Sequence, residues 1–366
     1  MSNRREFLRR TTGSAAGIVL ASCGLCGSAL GFQAGRRREV RVSGRRVRTI
    51  DVHAHIRVTE VWSLVKDTEQ GKNLERLLAA PDPKLDAHSV DARLQDMDKA
   101  GVDVQAVSIA QFGIWDWADR DLAGKIILAQ NEGIARFCAG HADRFVGLAS
   151  VAMEHPDEAP RQLEHAMKGL GLRGCCITAQ IKEDELADPK FHPFWAKAEE
   201  LQAFVLIHPQ GFREGARRFR GNGGLGNVVG SPLSTTIALS HLIQEGTLDR
   251  FPGLKICASH GGGYLPNYSG RSDLCQTVFP DQCKPLKKTP SEYLKQLYYD
   301  SILFTGEGLR HLVATVGPSQ VLMGTDYSAP WNPNPVDHVL ETPTLSNADR
   351  FAILGGNAAR LLRIGV

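Results

Sequence analysis

Beyond about residue 47, eight short apolar runs alternate with stretches of helical periodicity, and few architectures can use that rhythm. The runs are 49–55 (TIDVHAH), 103–109 (DVQAVSI), 145–150 (FVGLAS), 172–178 (LRGCCIT), 203–208 (AFVLIH), 254–259 (LKICAS), 298–301 (YYDS) and 320–325 (QVLMGT). Most are apolar at nearly every position rather than at every second one. Strands covered on both faces have that pattern, so parallel strands are predicted. Between them, Val90, Leu94, Met97 and Val102 keep a helical period that Gly101 stops. Residues 119–140 set Leu122, Ile126, Ile134, Phe137 and Cys138 along one face. Thr289-Pro290-Ser291-Glu292 reads as a capping box with proline at the first helical position, and Asn357 starts a short closing helix. Strand and helix eight times over predict an α/β fold, a single (β/α)8 TIM-type barrel rather than an open doubly wound sheet. No glycine-rich dinucleotide fingerprint follows the first strand. The 366 residues, 42% of them hydrophobic, suffice for one such core.

Two connections break the rhythm. Residues 57–89, after the first strand, and 209–235, after the fifth, are long for βα loops. Both leave from strand C-termini, the face on which barrel enzymes build their sites, and are expected to cover substrate.

Residues 1–30 read as a twin-arginine signal peptide. Arg4-Arg5 precede Glu6, Phe7 and Leu8, Arg9-Arg10 follow, and a weakly apolar Gly/Ala/Ser stretch runs to Leu30. Leu20-Ala21-Ser22-Cys23 resembles a lipobox, which predicts lipidation of Cys23 and a possible membrane anchor; ordinary cleavage near Gly27-Ser28-Ala29 is the alternative. Either outcome predicts export, with a periplasmic or membrane-anchored product. Residues 1–22 hold four arginines and one glutamate, the whole formal excess of +3. No basic field is then left to recruit nucleic acid. Residues 31–48, with seven arginines from Arg36 to Arg48, read as a basic linker or a short edge hairpin before the barrel domain at 49–366. Of the eight cysteines, Cys175-Cys176 fall on a buried strand, whereas Cys275 and Cys283 are a pair that an oxidising compartment would allow to bridge.

The chemistry-bearing residues gather at strand ends. His53 and His55 close the first strand, and side chains two apart share a face with about 7 Å of rise between them. A lone histidine on an apolar strand is more often a satisfied core residue, but two imidazoles at one barrel mouth need partners. His208 ends the fifth strand, His260 the sixth and Asp326 the eighth. Five metal-competent residues at one end of four strands predict a metal site. Three imidazoles and a carboxylate (His53, His55, His208, Asp326) suit one divalent ion, with zinc the expected metal and manganese or iron open.

This pattern resembles the amidohydrolase superfamily, with H-x-H on strand one, histidines on strands five and six and aspartate on strand eight. Within it, the amidohydrolase-related sequences of the aminocarboxymuconate-semialdehyde decarboxylase family are the most similar. Ser259-His260-Gly261-Gly262-Gly263, Gly270-Arg271, Gly324-Thr325-Asp326-Tyr327 and Gly356-Asn357-Ala358 carry the resemblance, which extends from about Thr49 to Leu362. Two-metal members bridge their ions by a modified lysine at the end of strand four. That strand has none here, Lys182 lying four residues on, so one metal is expected and His260 is free to act as acid or base.

The resemblance implies non-oxidative decarboxylation of a small unsaturated or aromatic acid, with a metal-activated water, His260 and Asp326 handling the proton. The same ligands would also serve hydrolysis of a lactone, ester or amide. A non-catalytic exported barrel is the third possibility, against which the complete ligand set speaks. Arg271 is a candidate for a substrate carboxylate, in the family that of the neighbouring subunit, which implies a homodimer. Phe112, Trp115 and Trp117 are candidates to line a pocket for a planar substrate or to pack as a lid. One departure concerns the family's other substrate arginine. The segment PDPKLDAHSV offers only Lys84 and His88 in its place.

Overall fold

The computed structural model describes residues 37–109, 115–283, 285–329, 331 and 334–365. Residues 1–30, predicted as a signal peptide with a lipobox at Leu20–Cys23, and Phe112 lie outside these residues. Among the described residues, no helix is long and apolar enough to cross a membrane.

Eight parallel strands form the centre. They are β1 (Ile50–Ile56), β2 (Val104–Ile109), β3 (Phe145–Gly147), β4 (Gly174–Thr178), β5 (Phe204–His208), β6 (Lys255–Ala258), β7 (Tyr298–Asp300) and β8 (Val321–Leu322). Regular ladders join β1-β2-β3 and β4-β5-β6-β7-β8. Backbone hydrogen bonds stitch the two sheets at both seams. Between β3 and β4, Arg173 N donates to Gly147 O (2.8 Å) and Cys176 N to Ala149 O (2.9 Å). Between β8 and β1, Val52 N donates to Met323 O (3.0 Å) and Asp326 N to His53 O (2.8 Å). The ring is therefore continuous in hydrogen bonding.

Helices follow the strands in turn: α1 (Asp91–Ala100), α2 (Arg120–Gly140), α3 (Ala159–Glu164), α4 (His192–Leu201), α5 (Ser231–Gln244), α6 (Leu265–Asp273), α7 (Gly306–Val316) and α8 (Asn357–Leu362). Gly101 ends α1 in the left-handed conformation, φ 77°, which a Cβ would disfavour. Asp119 caps α2 by accepting from Leu122 N. Ile50, Val52, Val104, Ala106, Leu148, Phe204, Leu206, Cys257 and Leu322 pack together with Leu361 and Leu362 of α8. Drawn from strands all around the ring, they make the floor beneath the site. A larger buried cluster lies between strands and helices.

Neither long connection is structureless. Residues 57–89 carry short helices at Trp62–Val65 and Glu69–Leu78, and residues 209–235 carry turns at Arg213–Gly215 and Gly226–Gly230 before α5. Of the two readings of the basic segment, residues 37–48 form the hairpin, Arg41–Val42 against Arg45–Arg46. It is docked rather than solvated: Val40, Val42 and Val47 are buried and Arg46 bonds Asp103 at 2.9 Å. Cys275 and Cys283 are bridged, their Cα atoms 6.1 Å apart.

Gly174 shows how tightly the strands beside the site approach. It sits at φ 151°, and a Cβ there would fall 1.9 Å from the carbonyl oxygen of Phe204 on β5. Backbone cannot give way as a side-chain tip can. Gly174→Ala is expected to lower stability by about 2 kcal/mol, read as a lower urea midpoint at unchanged slope.

Candidate metal centre

One bulge decides what faces the barrel mouth. Ile50 pairs with Val104 and His55 with Ser108, so five steps on β1 match four on β2, and the register shift falls between Asp51 and Ala54. Without it, Ile50 and Val52 would share one face and His53 and His55 the other. The extra residue puts apolar floor and imidazole mouth on the same inner face.

His53 and His55 meet His208 from the end of β5 and Asp326 from just past β8. One donor atom from each lies within 4.8 Å of all the others. His53 Nε2 is 3.2 Å from His55 Nε2 and 3.3 Å from Asp326 Oδ1. Asp326 Oδ1 also lies 3.2 Å from His55 Nε2 and 3.8 Å from His208 Nε2. The three rings stand nearly perpendicular to one another, at 87°, 89° and 90°. Lone pairs from three directions thus converge beside one carboxylate oxygen. Both ring nitrogens of buried His208 lack a hydrogen-bond partner among the described residues. Such a group is costly to bury unless its lone pair meets something else. Nitrogen and oxygen donors in this number fit a single divalent cation.

Supports behind the ligands aim them. His53 Nδ1 donates to Asp300 Oδ2 at 2.7 Å, and His55 Nδ1 pairs with Ser108 Oγ at 3.1 Å. Each leaves Nε2 for the centre. Asp51 accepts from the Thr325 hydroxyl at 2.6 Å, tying β1 to the turn that presents Asp326. Arg93, fully buried, donates to Gln105 Oε1 (2.9 Å), Lys84 O (2.9 Å) and the carbonyl of His55. Burial pushes its pKa down to about 10. Sequence reasoning passed over Asp300, Ser108, Asp51 and Arg93. The one available signal was an acid inside an apolar run, as in YYDS and TIDVHAH.

Electrostatics follow from this packing. Burial opposes ionisation of Asp326, but the imidazoles of His208, His260, His53 and His55 around it outweigh burial and hold the carboxyl far below its usual range. Burial pushes His208 down to about 3 and also lowers His55, so both are neutral near pH 7. His53 is buried too, yet its bonds to Asp300 and Asp326 lift it to about 10. A cation binding at neutral pH would displace that proton.

His260 stands beside this group rather than in it. Its Nε2 is 3.6 Å from Asp326 Oδ2, and its ring centroid is 5.3 Å from that of His53. The residue lies at φ 53°, with its N–H donating to Asp300 Oδ2 at 2.9 Å. Glycines follow because space runs out. A Cβ on Gly263, at φ 66°, would sit 2.2 Å from Pro232 O.

Next to His208 opens a pocket of about 700 Å³, largely apolar, with Trp115, Ile127, Met153, Cys176, Ile177 and Ile181 among its walls. Lys84 and His88 are instead paired with Asp96 and Glu60 and line no part of it. Lys182 belongs to an adjoining compartment. Arg271 is exposed and borders a separate cleft with Leu274, Val278 and Phe279.

Residues 50–364 match the sequence model of the Amidohydrolase family. The chain belongs to the amidohydrolase family. Among its amidohydrolase relatives is the 2-amino-3-carboxymuconate-6-semialdehyde decarboxylase of Dictyostelium discoideum, 30% identical over 274 residues, covering 74% of this chain and 76% of that one. The gamma-resorcylate decarboxylase of a Polaromonas species is 27% identical, over 75% of this chain and 87% of its own. Of solved amidohydrolase structures, the 5-carboxyvanillate decarboxylase of Sphingomonas paucimobilis superposes with a TM-score of 0.75 at 26% identity, over 87% of this chain and all of that one.

Proposed function

We propose that this amidohydrolase is a metal-dependent, non-oxidative decarboxylase of a small aromatic or unsaturated carboxylic acid. One observation carries the reading: a four-donor cluster with a fourth imidazole, His260, held beside it near an apolar pocket. That the relatives named above are decarboxylases supports it.

His53, His55, His208 and Asp326 hold the ion in this reading. When bound, a divalent ion supplies positive charge to substrate oxygens and stabilises the negative charge that builds as carbon dioxide departs. Zinc suits the donor set, although a solved relative holds manganese. His260 Nε2 gives a proton to the carboxyl-bearing carbon, and Asp326 Oδ2, 3.6 Å away, keeps that nitrogen oriented and shares the proton. The new C–H bond takes a π pair of the substrate, and when the C–C bond then breaks its electron pair restores that π bond as carbon dioxide leaves. No oxidant or organic cofactor enters the balance. Trp115, with the apolar wall, flanks the substrate ring and excludes water.

Arg271 opens away from its own chain's pocket, which leaves it for the site of a second copy in a homodimer. In this reading residues 1–30 act as an export leader, and the enzyme works outside the cytoplasm, periplasmic or anchored through Cys23.

Purified protein should contain one equivalent of divalent metal and release carbon dioxide from hydroxybenzoates or unsaturated acids. Stripping the metal should abolish turnover. Readdition to a hundredfold excess over Kd should raise unfolding free energy by about 2.7 kcal/mol, visible as a higher Tm. Acid release from a lactone panel with no carbon dioxide from any acid would overturn the proposal in favour of hydrolysis.

A further inference from the structure

Two polar groups in the pocket wall have no role in metal binding or proton transfer. Trp115 is only 5% exposed and lines the pocket, and its buried indole N–H has no acceptor among the described residues. An unmet buried donor is costly, and such groups in ligand pockets commonly find their partner on the ligand. Glu154, on the segment after β3, lines the same pocket and the adjoining compartment of about 400 Å³. Its half-buried carboxylate accepts its own backbone N–H and, among the described residues, no side-chain hydrogen bond. Ile127, Met153 and Ile177 supply the apolar surface of that pocket, and His208 marks the metal end.

We infer that Trp115 and Glu154 together read a hydroxyl group on the part of the substrate remote from the metal. The inference rests on the decarboxylase reading of the site and adds the feature that selects the substrate. Only some substituents satisfy both groups. A hydroxyl accepts from the indole N–H while donating to the carboxylate. An ammonium group has no lone pair for Trp115. A second carboxylate has no proton for Glu154 and would be set against its charge. The pocket already opposes more negative charge. Burial raises the Glu154 carboxyl, its own backbone N–H lowers it, Asp116 nearby raises it and Lys182 lowers it, leaving it above its ordinary value. Of the two cations that border the adjoining compartment with Glu154, Arg213 is paired with Asp116 at 3.3 Å, and Lys182 stands at the exposed tip of a hairpin.

The test is calorimetric binding of benzoate, 3- and 4-hydroxybenzoate and isophthalate to the metal-loaded full chain, with Trp115→Phe and Glu154→Ala alongside. One hydroxybenzoate isomer should bind about ten- to a hundredfold more tightly than benzoate, as a hydrogen bond to a charged group allows. That ratio should fall towards one in either variant. Trp115→Phe keeps the aromatic packing, so it serves if loss of the Glu154 carboxylate unfolds the wall. Equal affinity for benzoate and both hydroxybenzoates, a preference for isophthalate, or a hydroxyl preference that survives both substitutions would overturn the inference while leaving the carboxylate site standing. Binding of none of these acids, with metal present, would overturn the decarboxylase reading itself.

Discussion

His260→Asn will retain one equivalent of metal and lose a hundred- to ten-thousandfold in kcat, the range for removal of a positioned general acid. The two halves of that result have separate causes. His260 is not among the four converging donors, so the cluster should keep its ion. Its backbone N–H holds the loop to Asp300, and that bond survives any side-chain change. The residue sits at φ 53°, a conformation asparagine tolerates better than most residues. The fold is therefore left in place while the imidazole assigned to proton transfer is gone. Metal content by elemental analysis, kcat by carbon dioxide release and Tm together give the answer. A variant that also loses its metal would make His260 a ligand, and a variant with normal kcat would move the proton donor elsewhere.

The strand-end residues were legible because the information is local. An apolar run that ends in histidine, as in FVLIHP, says both that a strand stops and that something polar waits at its mouth. All eight runs proved to contain a strand, and Gly101 ends α1 as its chemistry dictates, whereas Asn357 lies inside a helical run that continues from Asn347 and spends its amide on Pro318 O and Val321 O. What could not be read needed a partner distant in the chain. The bulge in β1 is defined only against β2, and simple alternation would have turned Val52 and His53 to opposite faces. Asp300 belongs to a three-residue strand, and its meaning lies in a bond to a histidine 247 positions earlier. Arg93 looks like one more charge on an amphipathic helix until its guanidinium is seen beneath His55. The direction of Arg271 likewise depends on packing that composition does not encode.

Asp300→Asn will weaken metal affinity by about ten- to a hundredfold and lower stability as well, although Asp300 never meets the ion in the proposed arrangement. Its carboxylate receives four donors: His53 Nδ1 (2.7 Å) and His260 N (2.9 Å) on Oδ2, Gly261 N (3.0 Å) and Ile302 N (3.1 Å) on Oδ1. Burial alone would raise this acid, but the bond from His53 and its charge bring it below the ordinary value. Its stabilisation is thus present above the usual carboxylate range and lost as pH falls below it. An amide has one oxygen and one nitrogen, so it can satisfy only one side of the pair. With its NH2 towards Gly261 and Ile302, donor faces donor and two buried N–H groups are left unmet, at about 1–3 kcal/mol each. With its NH2 towards His53, the imidazole must become the acceptor, its proton moves to Nε2, and the lone pair aimed at the ion disappears. The first orientation spares the ligand and leaves two N–H groups unmet; the second removes the ligand and leaves one, the His260 N–H that faced Oδ2. Competition with a metal chelator, set beside thermal unfolding of the metal-free protein, separates them. Unchanged affinity with a lowered metal-free Tm selects the first and contradicts the expected weakening. Weakened affinity with a smaller fall in metal-free Tm selects the second, in which Asp300 acts through the tautomer of His53.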